Sequence, residues 1–305
     1  MMRYRVLRFP GFKAKAVTFS WDDGSFDDIR LVEMMNRYGL KGTFNISSAR
    51  FAPEAKEGPR VITLEEAKAM YYPAGHEVAV HGLRHISPYQ SAPSVMIREM
   101  LEDRIGLERQ FDTLVFGAAF PDDGRCTPEM AELMGKMGFH YCRCLSYDES
   151  FSLPQNWLTL QPTSKHNSPR LFDLIDKFLA LTPTENYISQ RESKWCYIWG
   201  HSHELRGQNN WEIIDQIGEK LGGREDIWYA NNSEICEYVR AYKMLQFSAD
   251  DSIVYNPTVF TIYLEIDKET SPSSPDKHSI CEGKSHEKHV RSLPQRQVPR
   301  RHLQL

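Results

Sequence analysis

Apolar runs long enough to cross a bilayer are absent from this chain. The first fifteen residues, MMRYRVLRFPGFKAK, carry basic side chains without the apolar stretch of a signal peptide. A cytoplasmic protein is therefore expected. An excess of one charge is lacking too: 37 Lys and Arg against 41 Asp and Glu leave a net charge of −4. That balance gives no electrostatic reason to expect nucleic acid or an anionic membrane as partner. Cysteine is sparse, with six in the chain. The closest pair, Cys142 and Cys144, lies two apart in a strand-like stretch with both side chains on one face, and free thiols in a reducing compartment are the simplest reading. No internal repeat is apparent, and nothing in the sequence fixes an oligomeric state.

What is present is an ordinary globular composition, 41% hydrophobic and 26% charged over 305 residues, enough for one large domain with a sizeable core. Strand-like and helix-like patterns alternate along it. KAVTFSW, GTFNIS, HEVAVH, LVFGAAF, HYCRC, WCYIWG and DIWYA read as strands. The segment DDIRLVEMMNRYG has apolar residues at helical spacing and Gly39 as a stop. Thr63 with Glu66 forms a capping box for a helix ending before Pro73, and SVMIREMLEDRIGLERQFD is a long helix. Thr127 with Pro128 opens a further helix closed by Gly138, and others are expected over about 170 to 180, 211 to 221 and 232 to 244. About seven βα units predict an α/β fold, a distorted (β/α) barrel in a single domain over 1–266. The segment 267–305 is polar, bears Pro and Ser, and is expected to be a disordered tail; its SHEKH cluster resembles a metal site by letters only.

Chemistry-bearing residues gather at the expected C-terminal ends of strands, in WDDG, VHGLRH, AFPDDG and WGHSH. Asp22 and Asp23 stand side by side where their charges repel, so the pair is either a solvated turn or a site in which a cation or shared proton makes it favourable. His81 and His85 are four apart directly after a strand, a spacing that lets two imidazoles reach one cation, although a surface or capping pair has the same spacing. Two imidazoles with one carboxylate make a ligand set for catalytic zinc or a related first-row metal. A second carboxylate beside the ligand could then take a proton from a bound water.

In this order, TFSWDDG, HGLRH, FPDDG and YIWGHSH resemble the successive motifs of the polysaccharide deacetylase family, carbohydrate esterase family 4, over roughly residues 15 to 205. The resemblance implies a distorted (β/α) barrel that removes acetyl groups from N-acetylated sugars, or O-acetyl groups from xylan, with a divalent metal, zinc foremost. It implies Asp22 as catalytic base, Asp23, His81 and His85 as metal ligands, and either His201 or His203 as general acid. His201 is preferred as the first residue to clear its strand. Pro121, Asp122 and Trp199 fall to the oxyanion and substrate positions, with the backbone amide after Pro121 as oxyanion donor. The family's Arg two residues before that proline is Ala119 here, which leaves the base without its usual cation; Arg143, in the strand HYCRC, is the candidate replacement, against a reading as an ordinary salt-bridged residue. Trp21, Trp157, Trp199 and Trp211 are either core or a sugar-stacking wall, and His166 in PTSKHNS is a loop histidine that could touch substrate. The alternatives kept open are a non-sugar amide or an O-acetyl ester as substrate with the same metal site, and a silent sugar-binding barrel.

Overall fold

A computed structural model describes residues 4–280 apart from 57, 186, 188–189, 268 and 274–277. In chain order the elements begin with β1 (Arg5–Arg8), β2 (Lys15–Asp22), α1 (Asp28–Arg37), β3 (Gly42–Ile46), α2 (Leu64–Met70), β4 (Glu77–Val80), α3 (Pro93–Phe111), β5 (Gly117–Ala119), α4 (Pro128–Lys136) and β6 (Tyr141–Arg143). They continue with β7 (Ser164–Lys165), α5 (Leu171–Ala180), β8 (Lys194–Gly200), α6 (Ser202–Gly207), α7 (Glu212–Leu221), β9 (Ile227–Tyr229) and α8 (Asn232–Lys243). Five short strands follow: β10 (Gln246–Phe247), β11 (Ile253–Tyr255), β12 (Ile262–Ile266), β13 (Glu269–Ser273) and β14 (His278–Ile280).

The capping signals act as written. Thr63 accepts from the Glu66 amide while Glu66 accepts from the Thr63 amide, and Thr127 accepts from the Met130 amide with Pro128 at the first helical position. Tyr38 and Gly39 end α1, with Gly39 at φ 65°.

The central sheet runs β6-β5-β4-β3-β2-β8-β7, with β9 also paired to β2, and every pairing in it is parallel. It curls into a partial barrel wrapped by the helices, which is the distorted (β/α) barrel expected. Parallel strands buried on both faces read as near-continuous apolar runs, and Val17, Phe19 and Trp21 of β2 duly sit in one core cluster with Phe44, Val78, Val80 and Ile198. A second cluster around Trp195, Tyr197, Tyr238 and Leu264 joins β8 and α8 to the terminal strands.

Two corrections to the sequence reading belong here. The stretch PTSKHNS is not a loop throughout, because Ser164 and Lys165 pair with Ile198 and Trp199 as an edge strand too short to show a pattern. The segment after 266 is not wholly a tail: β13 pairs antiparallel with β12, and β14 pairs with β11. Sheet edges supplied from elsewhere in the chain order these polar residues, and Pro272 is tolerated there because, among the described residues, β13 pairs on one side only. The SHEKH cluster lies outside the described residues. No helix among the described residues is long and apolar enough to cross a membrane.

Candidate active site and metal centre

Strand β2 delivers Asp22 at its last position, and the chain then turns through two left-handed residues, Asp23 at φ 80° and Gly24 at φ 59°. The reversal points the two neighbouring carboxylates into different surroundings. Asp22 is buried, accepts from Asn45 Nδ2 at 2.8 Å and meets the guanidinium of Arg143, itself fully buried. Burial pushes the Asp22 carboxyl upward, but Arg143, with His81 and His201, outweighs it and holds the group below the usual carboxylate range. The carboxylate is thus ionised and aimed. Arg143 comes from the end of β6, four strands away from β2 in the sheet order, and supplies the cation that Ala119 does not.

Asp23 is half-exposed, and its Oδ1 lies 3.0 Å from His85 Nε2 and 3.6 Å from His81 Nε2. Burial raises its carboxyl, yet contacts from His81 and His85 and the charge of His201 bring it well below the ordinary range. One ligand atom from each of Asp23, His81 and His85 lies within 4.8 Å of the others. His81 Nδ1–H donates to the Ala119 carbonyl at 3.0 Å, which leaves the Nε2 lone pair facing Asp23. An imidazole fixed in that way by its far nitrogen is what a metal-bound histidine requires, so the donor set fits a divalent cation such as zinc. The loop bearing both histidines is pinned to α3. Glu99 accepts from the Arg84 amide at 2.8 Å, and Asp103 accepts from the amides of His81 at 3.1 Å and Ser48 at 2.6 Å. Burial raises Asp103 to about 6.

His201 follows β8, with Nε2 at 3.9 Å from both Asp22 Oδ2 and Asp23 Oδ2, and it lines an open cleft of about 1030 Å³. His203 stands two residues on, its ring centroid 5.1 Å from that of His201, and burial lowers its imidazole first, with the charge of His201 next. Of the two candidates, His201 is the one facing both carboxylates. Asp122, at φ 61°, lines the same cleft, and among the described residues its backbone amide finds no acceptor. Pro121 packs behind it against Gly82.

Three readings shift. The four tryptophans are all buried, at 1 to 8% exposure, so they do not form a stacking wall. Trp199 lines the cleft but is almost wholly buried, with the Arg143 guanidinium 4.6 Å and the Lys165 ammonium 5.3 Å from its ring centroid. His166 is fully buried beneath Gly200 rather than exposed on a loop. The exposed aromatics of the cleft are Tyr89 and Tyr147, on loops whose approach the sequence does not encode locally. Asn45 and Glu204 were also missed: Asn45 faces Asp22 only through strand register, and Glu204 comes beside His201 only because the six-residue α6 forms after β8.

Residues 10–142 match the family model for polysaccharide deacetylase. No curated protein matches the chain. Among solved structures, the PuuE allantoinase is 16% identical at TM-score 0.56 and covers 75% of this chain and 91% of that one. A "probable Polysaccharide deacetylase" from Pseudomonas aeruginosa PAO1 is 16% identical at TM-score 0.55, covering 75% and 92%. Both share the fold. The Streptococcus pyogenes deacetylase PplD, solved in complex with acetate, is 19% identical at TM-score 0.38, and the match spans 42% of this chain and 55% of that one.

Proposed function

We propose, from the polysaccharide deacetylase match over residues 10–142, that this protein is a metal-dependent hydrolase that removes acetyl groups from N-acetylated sugars of the oligosaccharide or polysaccharide class. The observation that carries the reading is the contact between Arg143 and Asp22 directly beside the Asp23, His81 and His85 group. It provides an ionised base next to a place for a cation, which a mere sugar-binding barrel has no use for.

Asp23, His81 and His85 would hold the metal. When bound, zinc or a related cation supplies Lewis-acid polarisation of the acyl carbonyl and a more acidic water. Asp22 accepts the proton of the attacking water, and its orientation is set by Asn45 on one oxygen and Arg143 on the other. The free amide of Asp122 is available to a developing oxyanion; such a donor is typically worth about 3 kcal/mol. His201 Nε2 gives the departing amine its proton.

Acetate release from acetylated chito-oligosaccharides and xylo-oligosaccharides, with and without chelator, tests the reading and sorts amide from ester substrates. Chelator-sensitive release that is lost in Asp22→Asn supports it. Bound metal with no release from any acetylated sugar overturns it in favour of a non-sugar substrate or a silent binder.

A further inference from the structure

Behind His201, on the side away from the paired carboxylates, four side chains converge on one glutamate that the reaction described above leaves without a part. Glu204 lies on α6, three residues after His201, with Oε1 3.4 Å from His201 Nδ1. The same oxygen accepts from Lys165 Nζ at 2.7 Å, while Oε2 takes Asn167 Nδ2 at 3.4 Å and lies 3.7 Å from His166 Nε2. Lys165, His166 and Asn167 all come from the end of β7, so one short edge strand and one short helix are joined through this carboxylate.

The surroundings are built around it. The helix carrying Glu204 is tied to α1 at both ends, by Ser202 donating to Asp28 and by Arg206 donating to both oxygens of Asp27 at 3.0 and 2.9 Å. Gly200 leaves the space that His166 fills: a Cβ there would stand 2.0 Å from His166 Nδ1. Both nitrogens of the buried His166 and Nδ1 of His201 lack a formed hydrogen bond, so the polar atoms facing Glu204 are poised at contact distance rather than spent elsewhere. Hydrogen bonds of this kind commonly tighten only when substrate is bound.

We propose that Glu204, braced by Lys165, His166 and Asn167, is the positioning residue that fixes the His201 ring for proton donation. The inference rests on His201 as proton donor and is independent of which acyl compound is cleaved. In the step it serves, the C–N bond of the tetrahedral adduct breaks, its electron pair goes to nitrogen, and His201 Nε2–H supplies the proton. The imidazole left neutral keeps Nδ1–H on Glu204, so the ring cannot turn away as it discharges.

The test compares 4-nitroacetanilide with 4-nitrophenyl acetate, which share an acyl group and differ in whether the leaving atom needs a proton, in wild type, Glu204→Gln and His201→Asn. For the amide, kcat in Glu204→Gln should fall roughly 10- to 100-fold at unchanged KM, a share of the roughly 10²- to 10⁴-fold that a positioned proton donor provides. The ester should change by no more than about threefold, and the double variant should be no worse than His201→Asn alone. Equal losses on amide and ester, or no loss on either, overturn the proposal. The histidine ring resonances give a reading that needs no turnover: the Nδ1–H signal of His201 should be protected and shifted downfield in wild type and lost in Glu204→Gln. An unaltered signal overturns the proposal. A wild type that cleaves the aryl substrates but no acetylated sugar removes the sugar assignment and leaves the Glu204 comparison intact.

Discussion

Asp22 and Asp23 are adjacent in sequence and different in chemistry because one is sealed against Arg143 and Asn45 while the other faces two imidazoles. Variants should separate them. Asp23→Asn and His85→Gln should lose stoichiometric metal by elemental analysis, whereas Asp22→Asn should retain it and lose about 10²- to 10⁴-fold in turnover. Metal retained in Asp23→Asn would remove that residue from the ligand set. Arg143→Ala should also lose most activity, and it strands a buried carboxylate, a change that typically costs about 3–5 kcal/mol. The activity losses of Asp22→Asn and Arg143→Ala should not add in the double variant, because both break one contact. Additive losses would mean that Arg143 acts elsewhere.

Asp28 gives a residue-scale prediction of a different kind. It is fully buried, takes hydrogen bonds from Tyr71 at 2.7 Å and from Ser202, and burial, with the charges of Asp23 and Asp27 adding, lifts it to about 7. In the unfolded chain an Asp releases its proton near pH 4, about 3.9. Between these values the folded state binds more protons, so its contribution to stability is complete below about pH 4 and is lost as pH rises through about 7. Denaturation midpoints of wild type relative to Asp28→Asn should fall over that window. A pH-independent difference would refute the assignment.

Elements place what residues cannot. The end of β8 reaches His201 through Gly200, whose missing side chain admits His166. Gly200→Ala should shift that strand end or expel the histidine, lowering both thermal midpoint and turnover, and His166→Gly should partly restore the midpoint in the double variant; no restoration would show that the clash is not the cause. The helices were legible because their periodicity and caps are local: Thr63 with Glu66 and Thr127 with Pro128 act within four residues. The strand β7 and the helix α6 were not legible. Two strand residues carry no alternation, and six helical residues expose no stripe; both exist because β8 and α1 offer partners.

At the scale of the molecule, the first strand is clamped to β12, near the other end of the described chain. Arg8 of β1 donates to Glu265 of β12 from Nε at 3.0 Å and Nη2 at 2.7 Å, and Arg191 meets the same carboxylate, all in a buried setting. Glu265→Ala leaves two buried guanidiniums facing each other and should lower the thermal midpoint strongly, with an order of about 3–5 kcal/mol, while kcat at low temperature stays the same. Truncation after 266 removes the five-residue pairing of β13 with β12 and should lower the midpoint relative to truncation after 280; equal midpoints for the two truncations would show that this pairing adds nothing to stability.

By itself the sequence determined the alternation of strands and helices and the chain positions where polar residues follow apolar strands, because periodicity, caps and short spacings act within one element. The candidate set Asp22, Asp23, His81, His85 and His201 came from the adjacent carboxylates, the spacing of His81 and His85, and the resemblance of the motifs that carry them to those of the polysaccharide deacetylase family. Only the tertiary structure decided that Arg143 reaches Asp22 across the sheet, that the tryptophans are core, and that Glu204 stands between His201 and the end of β7. Each of those facts depends on which strands become neighbours and on the register they take. Burial then settles the matter, since a charge removed from water must find its partner wherever the fold has brought one.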